Sequence, residues 1–72
     1  MTKVIINDAE YAFKYNMISY DDIVTFALGD KENMYTINYS KGLLHAKGIV
    51  KPGDVITIIP GMIFNAVITG EA

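Results

Sequence analysis

The chain has no cysteine and no arginine, a single histidine and only two prolines. Without cysteine there is no disulfide, no thiolate metal site and no catalytic thiol, a composition that suits a reducing compartment. Six lysines face eight acidic residues, for a net charge of −2. Small nucleic-acid-binding domains draw on a basic stripe and on arginine for base reading, so nucleic acid is not an expected partner. No apolar run approaches the roughly 20 residues of a membrane span, and the N-terminus lacks a basic-then-apolar leader. The expectation is a cytoplasmic protein with no membrane partner. No nucleophile–base pair is spaced for catalysis, and the chain is small for a deep pocket. The reading is therefore of a non-enzyme, with no catalytic residues, metal or cofactor.

What is present is apolar. The 72 residues are 51% hydrophobic. A chain of this length forms one domain, here residues 1–72, and buries only about 60% of the surface its unfolded form exposes. Such a core cannot hide so much apolar side chain. The surplus at the surface points to a partner or to self-association.

The last third carries the strongest pattern, KPGDVITIIPGMIFNAVIT at residues 51–69. It reads as two strands, residues 54–59 and 62–69, entered through Pro52-Gly53 and joined by a tight Pro60-Gly61 corner. Both are apolar at nearly every position, the mark of a strand central in its sheet or covered on both faces. Upstream, residues 2–7 alternate, with Val4 and Ile6 opposed to Lys3 and Ile5. Asn7-Asp8-Ala9 follows as a turn, since Asn and Asp tolerate left-handed backbone. Residues 10–15 alternate again, with Tyr11, Phe13 and Tyr15 on one side, and aromatics at period two favour a strand. Ser19 begins a capping box with Asp22, and Asp21 and Asp22 suit the positive end of a helix dipole. A helix is expected at about 20–28, closed by Gly29. It is too short to stand alone and must lie on the sheet. Residues 34–40 form a further strand, and residues 41–50 read as an irregular excursion.

The order is ββαβββ. It predicts an α+β, β-grasp (ubiquitin-like) fold: a mixed sheet covered on one face by a single helix, with its first and last strands parallel at the centre. The expected core is Val4, Ile6, Phe13, Ile23, Ala27, Ile37, Ile56, Ile58, Phe64 and Ile68. On the uncovered face Ile5, Ile63 and Val67 sit together on adjacent strands, with Tyr11 or Tyr39 near them, as an expected interaction surface. Its occupant would be an enzyme of the pathway or another copy, in a possible homo-oligomer that is either symmetric or head-to-tail.

The segments VIIND-AEYAF, ISYDDIVTFA, YTINYSKG and KPGDVITIIPGMIFNAVIT, in that order, resemble the bacterial multiubiquitin type of ubiquitin-like domain over almost the whole chain. The most specific parts are the YDDIV helix start, the YTINY strand followed by KG, and the PGD…GMIFN closing stretch. The resemblance implies a protein modifier that is the substrate of an adenylating, ubiquitin-activating-like enzyme. Its other implied partners are a conjugating-like enzyme and a metal-dependent isopeptidase. Ubiquitin and the sulfur carriers of thiamine and molybdopterin synthesis present a C-terminal Gly-Gly, adenylated on its carboxylate. This chain reads Thr69-Gly70-Glu71-Ala72. Two readings of Gly70 stay open: it becomes the conjugation residue after Glu71 and Ala72 are trimmed, or it merely ends the last strand.

The remaining features carry ordinary explanations. His45 is a lone loop histidine. Asp21 and Asp22 cap the helix, and adjacent helix positions point apart, which is poor for shared acid–base work. The Gly42…Gly48 segment lacks the ending and the strand-to-helix context of a phosphate loop. The six lysines are isopeptide acceptors or simply solvated charge. Two other functions compete with the modifier: a self-assembling β-grasp module without covalent transfer, and a sulfur carrier ending in a thiocarboxylate.

Overall fold

The computed structural model describes residues 1–30, 32–43 and 45–71. Within them lies a mixed five-stranded sheet in the order β2-β1-β7-β4-β5 and a separate two-stranded ladder of β3 with β6. β1 (Thr2–Ile6) and β2 (Ala9–Phe13) form a hairpin whose register runs from Thr2 opposite Phe13 to Ile6 opposite Ala9. Its two-residue turn has Asn7 at φ 50° and Asp8 at φ 68°. Positive φ at both positions matches the twist of the flanking strands, and Asn and Asp tolerate it. The expected turn is present.

β3 (Met17–Ser19) leads into α1 (Tyr20–Asp22), which continues as a π-helical segment over Ile23–Leu28. The capping box is formed: the Asp22 N–H donates to Ser19 Oγ at 3.0 Å, and the Ser19 N–H donates to Asp22 Oδ2 at 2.9 Å. The helix ends where expected, at left-handed Gly29. What the sequence does not announce is the widening after its first turn. The N–H groups of Gly29 and Asp30 both reach back to the Val24 carbonyl, which closes the wide turns.

β4 (Asn33–Ser40) lies antiparallel to both β7 (Ile63–Glu71) and β5 (Lys47–Val50). β5 falls in the stretch read as irregular, and this corrects that reading. Gly48 hides the strand. It pairs with Tyr39, whose ring lies over it so closely that a Cβ there would overlap the ring. Glycine inside a strand commonly marks such a close approach, and the aromatic ring supplies the side chain the glycine lacks.

A second correction concerns the closing stretch. Its two strands are not neighbours. β6 is only three residues, Val55–Thr57, and pairs with β3, Ile56 opposite Ile18. The Pro60-Gly61 corner hands the chain from this small ladder to the main sheet. Gly61 has φ +85° and the Met62 N–H donates to the Ile59 carbonyl at 3.2 Å. Proline then glycine at the centre of such a turn fixes one φ and permits the other. From there β7 runs parallel to β1, Ile5 opposite Ile63 and Ile6 opposite Phe64. The first and last strands are therefore parallel neighbours, with β7 at the sheet centre.

The helix and the small ladder close over one face of the sheet. Val4, Ile6, Phe13, Ile23, Ile37, Ile58 and Phe64 are buried there as expected, with Ala27 and Ile56 partly buried against them. Ile18, Tyr20, Val24, Val50, Met62 and Ala66 belong to the core as well. Ile68 does not: it is 55% exposed. β1 stops at Ile6 while β7 runs on to Glu71, so Ile68 projects beyond the cover.

Candidate functional site

Two regions carry the expected functional residues: the uncovered face of the sheet and the far end of β7. Ile5 and Ile63 lie side by side across the parallel junction, both half-buried. Glu10 flanks them on β2 and Ser40 on β4. Val67 shares the face, four residues along β7, and is 52% exposed. Asn65 sits between, opposite Asn38, and Val67 faces Thr36. The three residues thus share a face without forming one patch: an isoleucine pair and a separate valine, divided by an asparagine cross-strand pair. Ile49, opposite Asn38 on the other side, adds another exposed apolar residue at 53%.

The tyrosines lie elsewhere, which corrects the expectation that Tyr11 or Tyr39 would border this face. Tyr11 pairs with buried Val4, and its hydroxyl donates to the Ala27 carbonyl at 3.0 Å. Tyr39 pairs with Phe64, their ring centroids 6.2 Å apart. Alternation places both on the helix-covered face.

A second apolar surface went unread. Phe26 points out of the π-helical segment, 62% exposed, against Phe13 and Tyr11 of β2, with ring centroids 5.3 and 6.1 Å apart. With Met1, Tyr15 and Met17 it borders a groove of about 390 Å³. The available signal was weak. Phe26 flanks the apolar stripe of a regular helix, and the widened turn changes what lies beside it.

Gly70 lies inside β7. It pairs with Met34, and Glu71 pairs with Asn33 beyond it. The strand does not stop at the glycine, so its role as a strand terminator is corrected. Neither φ nor crowding demands glycine here. It is absent from the positive-φ residues, and a Cβ would meet Met34 Cβ at an ordinary 4.0 Å. The rest of the expected tail, Ala72, lies outside the described residues.

The strand end is held in an unusual way. Just before it, β7 loses its neighbour on the β1 side. There the Asn7 side chain takes over: the Ala66 N–H donates to Asn7 Oδ1 at 2.7 Å, and Asn7 Nδ2 donates to the Ala66 carbonyl at 3.1 Å. One amide satisfies both backbone groups that a longer β1 would have paired. On the far side of β4 a similar substitution occurs. The Tyr35 N–H, beyond the reach of short β5, donates to the hydroxyl of buried Tyr20 at 2.9 Å. Asp30 completes the arrangement. Its Oδ2 accepts from the Tyr35 hydroxyl at 2.7 Å and from Asn33 Nδ2 at 2.8 Å, and its Oδ1 accepts from the Glu32 N–H at 2.9 Å. These donors, Asn33 first and then Tyr35, hold the Asp30 carboxyl below the usual carboxylate range. In return the carboxylate raises the Tyr35 hydroxyl above its ordinary value.

His45 is exposed just before β5, and Asp21 and Asp22 lie in the first helical turn, Asp22 engaged in the cap. Among the described residues no cluster of three potential metal ligands occurs, and no helix is long and apolar enough to cross a membrane. No protein-family model, curated protein or solved structure gives a significant match to this chain.

Proposed function

We propose that this chain is a β-grasp, ubiquitin-like protein modifier, acting through Gly70. The observation that carries the reading is the sheet order β2-β1-β7-β4-β5, with β1 and β7 parallel at its middle and one helix across a single face. This arrangement is compatible with a β-grasp, the first and last strands being parallel neighbours as that fold would have them. Fold alone does not carry function. The second support is positional: Gly70 lies exposed near the end of the central strand, on the opposite side of the sheet's length from the Pro60-Gly61 corner.

In this reading a protease removes the residues after Gly70. The new carboxylate attacks the α-phosphorus of ATP in an activating enzyme and displaces pyrophosphate. The resulting acyl adenylate passes its acyl group to a thiol of that enzyme with release of AMP, then to a thiol of a conjugating enzyme and on to an amine with release of each thiol, and a metal-dependent isopeptidase hydrolyses the isopeptide bond. The Ile5–Ile63 pair and Val67 offer apolar contact to those enzymes, on a face they share with Asn38, Asn65 and exposed Ile49.

The test is intact mass after incubation with a cognate activating enzyme and ATP, using the full chain and a version ending at Gly70. The expected result is a covalent enzyme adduct of the shortened chain, lost on Gly70→Val. If both forms stay unmodified, the modifier reading is wrong. A second reading, self-assembly without covalent transfer, draws on the apolar residues exposed on both faces of the molecule. It predicts large species in light scattering at modest concentration that Ile63→Asp dissolves, and a persistent monomer rejects it.

A further inference from the structure

A glycine that must enter an enzyme channel has to leave the sheet first. From residue 67 onward, β7 is held among the described residues by β4 alone. Between Ile68 and Gly70 the register slips. Tyr35 faces Ile68 and Met34 faces Gly70, which leaves Thr69 with no residue opposite. Such a bulge interrupts the ladder and bends the strand. The hydroxyls of Thr69 and Thr36 meet only at 3.4 Å. Beyond the bulge, Gly70 and Glu71 depend on two residues, Met34 and Asn33.

Those two residues are themselves held. Asp30 grips Asn33 and Tyr35, one on each side of Met34, while the Tyr20 hydroxyl holds the Tyr35 backbone. The clasp therefore fixes the short stretch of β4 on which Gly70 rests. Detaching the strand end would uncover little: Val67 and Ile68 are already about half exposed, and Thr69 and Gly70 are exposed. Local openings are inexpensive where few apolar contacts are lost.

We propose that residues 33–35 and the Asp30 clasp form a latch that holds Gly70 in the sheet, and that the strand opens at the Thr69 bulge to release it. The idea rests on the modifier reading, since it concerns control of the same glycine. In the closed state Gly70 is one rung of a ladder. In the open state residues 69–71 are an extended tail, while Phe64 and Ala66 stay in the core. Asp30 sets the balance between the two states without contacting Gly70, and is a positioning residue.

Amide hydrogen exchange on the intact chain tests the latch directly. The probes are the amides that bridge Asn33–Met34 to Gly70–Glu71. Asp30→Ala is expected to speed their exchange by about tenfold and Tyr35→Phe by about threefold, because charge-assisted hydrogen bonds are lost. The amides of Ile6, Ile37 and Phe64 should change by less than about twofold, as expected for local rather than global opening. Uniform acceleration throughout the chain, or none at the strand end, overturns the proposal. Tyr35→Phe guards against a global loss of fold in the alanine variant. The same variants in chains ending at Gly70, offered to an activating enzyme with ATP, separate the two ideas. Adduct formation with unresponsive exchange rejects the latch and keeps the modifier. Responsive exchange without an adduct keeps the latch as a property of the fold and rejects the modifier.

Discussion

The two halves of β7 have nearly the same chemistry and opposite fates. On the helix-covered side, Phe64 in the first half is 1% exposed and Ala66 8%, whereas Ile68 in the second, two residues further along that side, is 55% exposed. Ile58, chemically identical to Ile68, is 2% exposed. The difference lies in the neighbours. The first half has β1 on one side and β4 on the other, with the helix above. The second half has β4 alone. Burial is a property of the place a residue reaches, and an apolar run does not disclose where its flanking strand stops.

The sharpest way to break this contrast is to truncate both halves. Phe64→Ala should cost about 3–5 kcal/mol, the usual loss for a buried aromatic. Ile68→Ala should cost less than about 1 kcal/mol, as for exposed positions. Urea unfolding of the two variants would measure the gap, and equal losses would mean that the second half is covered after all. Asn7→Ala comes next. It strands both backbone groups of Ala66 at the boundary between the halves, at an expected cost of about 1–3 kcal/mol. Asn7→Asp keeps an acceptor for the Ala66 N–H but loses the donor, and should fall between.

The smallest expected effect concerns acid. Because the folded state depresses the Asp30 pKa, the clasp contributes fully above the carboxyl's unfolded pKa, and its contribution fades as pH falls through the lowered folded value. Thermal unfolding of the wild type and Asp30→Asn should therefore differ near neutrality and converge in acid, once pH falls below the lowered carboxyl pKa. A difference that persists unchanged into acid would show that the carboxylate charge is not what holds Asn33 and Tyr35.

Features specified by adjacent residues were legible. The capping box needs only Ser19 and Asp22, the hairpin turn only Asn7 and Asp8, and the corner only Pro60 and Gly61. The alternation of Val4 and Ile6 identified the inner face of β1. The parallel pairing of the first and last strands was expected from the likeness of the element order to a β-grasp, and the two strands are parallel neighbours. Features that depend on distant residues were hidden. β5 pairs with β4 upstream in the chain, with the Tyr39 ring over Gly48. β6 pairs with β3, a three-residue strand distant in the chain, in a ladder separate from the main sheet. The π-helical widening has no local signature in IVTFAL.

The candidate site divides in the same way. Ile5 and Ile63 are adjacent because the fold order is what the pattern suggested. Val67 is set apart by Asn65 and Asn38, and only the register reveals that. Gly70 read as a natural stopping point, since glycine lacks a side chain to pack in a strand. Pairing with Met34 outweighs that weak preference. The clasp that supports the pairing joins Asp30, Asn33 and Tyr35 across a turn, with Tyr20 from the helix start. None of these residues stood out by type.

The parallel contact of Ile5 with Ile63 also bears on how the molecule assembles. Its formation closes a loop of most of the chain, and the entropy of that closure must be met before the contact returns any stability. Hairpin β1–β2 and the helix start can form from neighbours within the chain, but the centre of the sheet cannot. Such topologies fold slowly for their size. During synthesis the hairpin would wait, with Val4 and Ile6 uncovered, until the segment carrying Phe64 emerges to cover them. The strand that completes the core follows every other described strand of the sheet in the chain.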